Sequence, residues 1–359
     1  MGICGSKPSG GATAGSAAAG GGGGVAVALA AAARPVNDAT KLTSEEKQAL
    51  KKKTIIVDRD GETIVRRPGE IDGWDMNLES CSNCTILIFD RIGALTGDDC
   101  EGCTVVIGPC STSVFLRKFK RCRIVVACQQ FRARELEDCT ILMYSQSRPV
   151  VESSRNLRIG CHALSYPQLP EQMAFAGLSP LCNPWSAIHD FTPSTLSYSL
   201  LSESEQEAVA TELRALPASA EVGADFARDM IPVTFGSRQG RPPALAHGVF
   251  VADPDPADLV AKLVDLSNTD GVQVVRTDVQ PGSGELLGLL KGFAGGGTLP
   301  PALVRAAKSE APLVCVEVAG QSAASLVSTM QSWGALAVPE KGQAEFLFPN
   351  YQDQGGRLQ

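Results

Sequence analysis

Histidine is scarce in this chain of 359 residues: His162, His189 and His247 are the only three, and none follows position 247. Chemistry that needs histidine is therefore not carried wholly within the last third. An excess of basic charge is also missing. Lys and Arg total 32 against 39 Asp and Glu, a net charge of −7, which argues against a surface built to coat nucleic acid; no nucleic-acid partner is expected. No G-x4-G-K-[ST] phosphate loop occurs, so the chain carries no nucleotide cradle of that kind. A membrane-spanning run is lacking too. The uncharged stretch of residues 8–33 is long enough, but it is almost wholly Gly, Ala and Ser, with Val25, Val27 and Leu29 as its larger aliphatics and Gly20 to Gly24 breaking any helix. It reads as a flexible tether, and no secretory signal precedes it.

What is present suggests two globular modules joined by linkers, with 44% hydrophobic and 20% charged residues supporting sizeable cores. The opening Met1-Gly2-Ile3-Cys4-Gly5-Ser6 fits N-myristoylation of Gly2, and Cys4 is placed to accept palmitate. One acyl chain gives marginal membrane residence and two make it stable, so the pair has a physical logic. After the tether, Thr43-Ser44-Glu45-Glu46 offers a capping box, and Lys51 to Lys53 put positive charge at the end of the helix it would start.

Nine of the twelve cysteines fall between Cys81 and Cys161. Four open similar segments, Cys84-Thr-Ile-Leu-Ile, Cys103-Thr-Val-Val-Ile, Cys122-Arg-Ile-Val-Val and Cys139-Thr-Ile-Leu-Met, with starts 19, 19 and 17 residues apart, and Asn156-Leu-Arg-Ile continues the series. Each β-rich segment is followed by a turn-rich stretch such as Thr96-Gly97-Asp98-Asp99. Units this short cannot fold alone, and stacked β-rich units form a parallel β-helix. Zinc is the competing reading, because Cys81-x2-Cys84 and Cys100-x2-Cys103 have the spacing of a four-cysteine site. The recurrence at Cys122 and Cys139, where no partner stands three residues earlier, follows the coil period instead and favours a ladder of buried thiols, with no metal expected.

Residues 114–134 hold seven basic side chains, Arg117, Lys118, Lys120, Arg121, Arg123, Arg132 and Arg134, and no acid. On charge alone this is a solvated outer face of the coils or a docking face for an acidic or phosphate-bearing partner.

The segment Ala127-Cys128-Gln129-Gln130-Phe131-Arg132-Ala133-Arg134 resembles the core motif of the tubulin-binding cofactor C family. Gly61-Glu62-Thr63, Arg67-Pro68-Gly69, Phe89-Asp90, Gly108-Pro109, Ser113-Val114-Phe115, Val151-Glu152-Ser153-Ser154 and Trp185-Ser186-x-Ile188-His189-Asp190-Phe191 extend the resemblance over most of residues 54–193, toward a membrane-anchored member of that family. The Gly/Ala-rich tether departs from it. The resemblance implies a right-handed parallel β-helix that activates a small GTPase of the Arf-like 3 type in its GTP state. Arg132 would be an arginine finger, Gln129 would reach the partner's nucleotide site, and Glu152 would lie near Arg132 and position it. Gln130, Phe131, Arg134, Arg117, Lys118 and Lys120 would contact the partner. GTP and Mg²⁺ would belong to the partner, leaving this chain no cofactor of its own. The resemblance also implies residence on the cytoplasmic face of the plasma membrane and at the cilium or basal body, in transport of lipidated proteins. A non-catalytic scaffold binding a GTPase or tubulin is the alternative. His189 and Asp190 are read as packing the β-helix end, and His162 as a core or turn residue.

The expected organisation is an acylated N-terminus and tether over residues 1–40, the β-helix over 41–193, a linker with a short helix at 203–216 over 194–244, and an α/β module over 245–350. In the last, strands at 245–251, 272–276, 313–318 and 335–338 alternate with helices at 257–266, 284–290, 302–307 and 323–333. The order suggests a ferredoxin-like layer, which the resemblance links to nucleoside-diphosphate kinases, inactive here for want of a later histidine. Gly282-Ser283-Gly284 is read as a plain turn rather than as a dinucleotide loop, and Ser322 of Gly320-Gln321-Ser322-Ala323 is not read as a nucleophilic serine, since the base histidine expected later in the chain is missing.

Overall fold

The computed structural model describes residues 37, 39–216, 223, 231–253, 255–295, 297–339 and 344–351. Gly2, Cys4 and the tether lie outside the described residues. Among the described residues no helix is long and apolar enough to cross a membrane.

The first module is a parallel β-solenoid. Strands β1 (Ile55–Val57), β2 (Thr63–Arg66), β3 (Met76–Glu79), β4 (Thr85–Ile88), β5 (Leu95–Asp98), β6 (Thr104–Arg117), β7 (Arg123–Arg134), β8 (Thr140–Ser145), β9 (Val150–Glu152), β10 (Leu157–Cys161), β11 (His189–Asp190) and β12 (Tyr198–Leu200) join one sheet system. They form two ladders. One stacks β2, β4, the first part of β6, the first part of β7, β8, β10 and β12. The other stacks β1, β3, β5, the last part of β6, the last part of β7, β9 and β11. The repeat read from the sequence is the first ladder; the second was hidden. Thr96-Gly97-Asp98, expected as a turn, lies in β5. Gly97 faces inward, where a Cβ would come within 2.8 Å of Leu116 and Phe119, so the glycine is a packing requirement rather than a turn signal.

The cysteine ladder is present as stacked buried thiols. Cys103 Sγ donates to the Cys81 carbonyl at 3.4 Å, Cys122 Sγ to the Cys100 carbonyl at 3.6 Å, and Cys139 Sγ to the Phe119 carbonyl at 3.4 Å. Each thiol thus tethers its coil to the corner of the coil before. The column three residues earlier runs Cys81, Cys100, Phe119, Leu136, all buried. That explains why Cys122 and Cys139 have no cysteine partner at that spacing: Phe119 and Leu136 fill the same interior position. Among the described residues no group of three or more His, Cys, Asp or Glu is arranged to hold a metal ion.

Each corner carries two residues with left-handed backbone three positions apart, as in Asp58 and Gly61, Ser80 and Asn83, Asp99 and Gly102, Lys118 and Arg121, Glu135 and Asp138, Ser153 and Asn156. Asp, Asn and Gly tolerate this conformation, whereas Lys118, Arg121 and Glu135 adopt it because the parallel bridges between successive corners fix the chain there.

Helix α1 (Ser44–Thr54) precedes the first coil. Its capping box is formed by Thr43 and Glu46, the last turn carries Lys51 to Lys53 as expected, and Arg66 donates to the carbonyls of Lys52 and Lys53. Helix α2 (Leu169–Ala176) and helix α3 (Glu203–Arg214) cover the first ladder, sharing a second core with Leu87, Val106, Val125 and Leu142. The expected linker over 194–244 is corrected accordingly. Strand β12 extends the sheet and Val209, Ala210 and Leu213 of α3 are buried against it, because a solenoid end exposes an unpaired edge and apolar surface that must be covered. Farther along, Thr234 accepts the Trp185 indole N–H at 2.9 Å.

Asp90 holds a coil together from inside. Its Oδ2 accepts from the amides of Ile71 at 2.7 Å and Asp72 at 2.8 Å, its Oδ1 from Arg91 N at 2.9 Å, and it is 2% exposed. Asp90→Ala strands these amides and is expected to cost about 2–3 kcal/mol, read as a lower urea midpoint; an unchanged midpoint would show that water replaces the carboxylate.

Four further strands, β13 (Ala244–Val251), β14 (Gln273–Pro281), β15 (Pro312–Gly320) and β16 (Leu336–Pro339), form an antiparallel sheet in the order β14-β15-β13-β16. Alternation along β15 sends Val314, Val316 and Val318 to one face, against the helices Ala257–Ser267 and Ala323–Ser332, and Leu313 and Cys315 to the other, against Gly284–Phe293 and Pro301–Lys308. Ser283 and Ser322 are N-caps of the helices that follow them. Strand β14 runs five residues past its expected end at 276, through the buried Asp278. Asn350 donates to that carboxylate from its backbone at 3.0 Å and its side chain at 2.6 Å, while burial pushes the Asp278 pKa up to about 6. The pairing hides a polar position that reads as a break in the sequence. The sheet meets the solenoid where Cys182 contacts Asp278 at 3.6 Å and Tyr351 Oη donates to the Asn183 carbonyl at 2.8 Å.

Candidate functional site

The second ladder orders the outer face of the solenoid into columns. Strand alternation sends every other residue outward, and the register Thr96↔Phe115↔Arg132↔Val150↔His189 builds one outward column across five coils. The next outward column, two residues along, is Glu79, Asp98, Arg117, Arg134 and Glu152. Between them the inward column of Leu78, Gly97, Leu116, Ala133 and Val151 packs the core.

These columns differ in charge. In the second, Arg117 pairs with Asp98 at 2.7 Å, and Arg134 reaches Glu135 at 3.1 Å and Glu152 at 3.9 Å. Arg132 is exposed and is the one permanently charged side chain in its column. No carboxylate among the described residues pairs with it; its guanidinium lies 5.3 Å from the Phe115 ring centroid.

The expected place of Glu152 beside Arg132 is corrected by this register. Val150 stands level with Arg132, and Glu152 stands level with Arg134. Two residues along a strand are about 6.6 Å, enough to hand the carboxylate to the other arginine. Phe131 is also corrected as a contact residue: it points inward, opposite Val114, and is 0% exposed. Gln130 is exposed, opposite Ser113. Gln129 is half-buried at the bend of β7, where its amide meets the Ala176 carbonyl of α2 at 3.5 Å and its own carbonyl accepts from Ser147 N at 2.9 Å. The first contact is long and weak.

The seven basic residues do not form one face. Arg121 pairs with Glu101, Arg123 with Glu212 at 3.1 Å, and Arg117 and Arg134 as above. Lys118 follows Arg117 onto the corner, its N–H bonded to the Arg134 carbonyl at 3.0 Å. Lys118 and Lys120 line a cavity of about 310 Å³ with Asp99, Glu135, Glu137 and Arg155. The acids missing from residues 114–134 are supplied by neighbouring coils and by α3, whereas Arg132 stands exposed with no such partner among the described residues.

The histidines are as expected. His162 is 1% exposed, burial drives its pKa down to about 3, and its Nδ1 accepts from Leu164 N at 3.3 Å. His189 and Asp190 form β11, against β9. Beyond them Phe191 is 61% exposed and packs edge-on against the His189 ring at 4.6 Å. Phe115 stands in one of the segments that carry the resemblance and Val150 in none, but only the period of the second ladder would have placed the two on either side of Arg132.

Fold and site define a parallel β-solenoid that presents one unpaired arginine from an outer column. Residues 73–191, which lie within the solenoid, match the family model described as Tubulin binding cofactor C. The chain is 38% identical to Protein XRP2 of Gallus gallus over 223 residues, covering 60% of this chain and 62% of that protein. It is 35% identical to Protein XRP2 of Homo sapiens over 185 residues, 50% of this chain and 52% of that one, and 29% identical to Tubulin-specific chaperone C of Homo sapiens over 152 residues, 41% and 44%. The matches thus span less than two thirds of the length of these relatives.

Proposed function

We propose that this protein activates GTP hydrolysis by a small GTPase of the Arf-like 3 type, docking its GTP-bound state against the second ladder and inserting Arg132 at the nucleotide. The observation that carries this reading is the isolation of Arg132, an exposed arginine with no carboxylate among the described residues, in a face whose other arginines are neutralised. A structural surface arginine would be paired like its neighbours. Phosphoryl transfer to water needs charge neutralisation more than covalent help, and a planar, permanently charged guanidinium supplies it. GTP and Mg²⁺ come with the partner. Gln130 stands on the same outward side, and Gln129 reaches the partner by giving up its weak contact with Ala176. Arg117, Lys118, Lys120 and Arg134 form the charged border of the docking face. The test is single-turnover GTP hydrolysis by such a GTPase with and without this protein; no acceleration despite GTP-dependent binding sinks the reading. That outcome would favour a scaffold, and the similarity to Tubulin-specific chaperone C then makes tubulin the partner to try.

Gly2 and Cys4 are read as acylated, holding the protein on the cytoplasmic face of the plasma membrane and near the cilium or basal body, where it serves transport of lipidated proteins. Gly2→Ala is expected to move most of the protein from the membrane pellet to the soluble fraction in cell fractionation, since a lone palmitoylation site next to an unmodified start is a poor anchor; unchanged pelleting would overturn the anchor. The four-stranded sheet is read as a ferredoxin-like accessory layer of the nucleoside-diphosphate-kinase kind without that activity. Its one histidine, His247, is 2% exposed and bonded to Glu317 at 3.0 Å, which supports that reading.

A further inference from the structure

The outer columns of the solenoid place an aromatic ring directly beneath the isolated arginine. Phe115 of β6 is in register with Arg132 of β7, and both point outward. The Arg132 guanidinium sits 5.3 Å from the ring centroid. A second guanidinium, that of Arg117, lies 5.6 Å from the same ring and is tied to Asp98 at 2.7 Å. Val150 stands in register on the far side of Arg132. Arg132 is thus bordered by a ring below and an aliphatic side chain above, with no acid among the described residues to draw it sideways.

We propose that Phe115 is a positioning residue for Arg132, a platform that holds the guanidinium raised from the face in the attitude it needs at a partner's phosphates. The inference rests on the reading of Arg132 as the inserted residue and adds what aims it. An arginine side chain carries considerable rotamer freedom, and a group that must reach one point in a partner works best when that freedom is restricted beforehand. A carboxylate would restrict it too, but would compete with the phosphates for the positive charge. An aromatic face attracts the cation while leaving its N–H donors unused. That is the physical reason for a ring in this column where the adjacent column uses Asp98 and Glu152. Arg117, paired with Asp98, lies 5.6 Å from the centroid of the same ring.

The competing account is that Phe115 only shields the core. It is half-buried, while its neighbours Val114 and Leu116 are the ones wholly inside, so its replacement by leucine leaves the interior intact. The experiment measures single-turnover GTP hydrolysis across a titration of this protein, comparing wild type, Phe115→Leu, Phe115→Tyr, Arg132→Ala and the double variant Phe115→Leu/Arg132→Ala. Phe115→Leu is expected to lower the saturated rate about three- to tenfold, in line with loss of a cation–π contact and a looser approach, with the half-saturating concentration unchanged within about twofold and the melting temperature close to wild type. Phe115→Tyr keeps the ring and should keep the rate. In the Arg132→Ala background the leucine should add nothing, because a platform with no guanidinium to hold has no effect. A wild-type rate for Phe115→Leu, a loss confined to affinity, or an equal loss with and without Arg132 would overturn the inference while leaving the activator reading intact. Absence of acceleration by the wild-type protein would overturn both.

Discussion

Arg132→Ala is expected to abolish the acceleration of GTP hydrolysis, lowering the single-turnover rate by about 10³–10⁵, the range an arginine finger supplies, while binding to the GTP-loaded partner persists. The size of the effect follows from what the side chain would do at the nucleotide on the proposed reading. Charge spreads over the transferred phosphoryl oxygens, and a guanidinium meeting them in a site closed to water acts at low dielectric. Arg132→Lys should recover little, since an ammonium is a compact, strongly hydrated charge without the planar fork. The protein itself should fold normally in both variants. Arg132 is exposed and pairs with no carboxylate among the described residues, so its removal leaves no buried charge behind. A loss of thermal stability parallel to the loss of rate would instead mark Arg132 as structural. The register makes a second comparison available. Glu152→Gln should alter Arg134, its actual neighbour, and leave the saturated rate within about twofold, since an exposed pair of this length is worth at most about 1 kcal/mol.

Phe131→Ala should act in the opposite way, on stability rather than on the partner. The ring is fully buried in the solenoid, next to Arg132 in sequence but on the other side of the strand. Truncating a buried Phe costs about 3–5 kcal/mol, the transfer of the ring plus the cavity it leaves. Stacked coils depend on their neighbours, so the damage should spread along the ladder and appear as a large drop in the denaturation midpoint. Phe131→Leu, which keeps most of the volume, should recover much of the stability and the full rate at temperatures where the protein remains folded. A Phe131→Leu variant of wild-type stability that no longer binds the partner would return Phe131 to the contact face.

The pair Phe131 and Arg132 shows how far the sequence could be read. The motif pointed to both, and a motif does not say which side chain faces out. That depends on the phase of the strand, and β7 passes a bend with register shifts between Ile107 and Ser113 of its neighbour, so the phase of the first ladder does not carry over to the second. Glu152 failed for the same reason by two residues. The pairing of the basic cluster was hidden for another reason, because its counter-charges come from Asp98, Glu101, Glu152 and Glu212, which only tertiary packing brings near. The second ladder was hidden by Gly97, whose role is space for Leu116 and Phe119, and by corners built from Lys118, Arg121 and Glu135 in a conformation these residues seldom signal.

The sequence by itself determined the solenoid: short β-rich units at a period near nineteen, opened by small buried thiols, cannot bury their apolar faces except by stacking. It determined the capped first helix and the order of strands and helices in the last module, since these are local patterns of period and cap. Only the tertiary structure decided which residues share the outer face, that Arg132, unlike Arg117 and Arg134, meets no carboxylate among the described residues, and that Phe115 lies beneath it. Such relations join residues about one coil apart in sequence, and they exist only once register is fixed by the packing of every coil on the next.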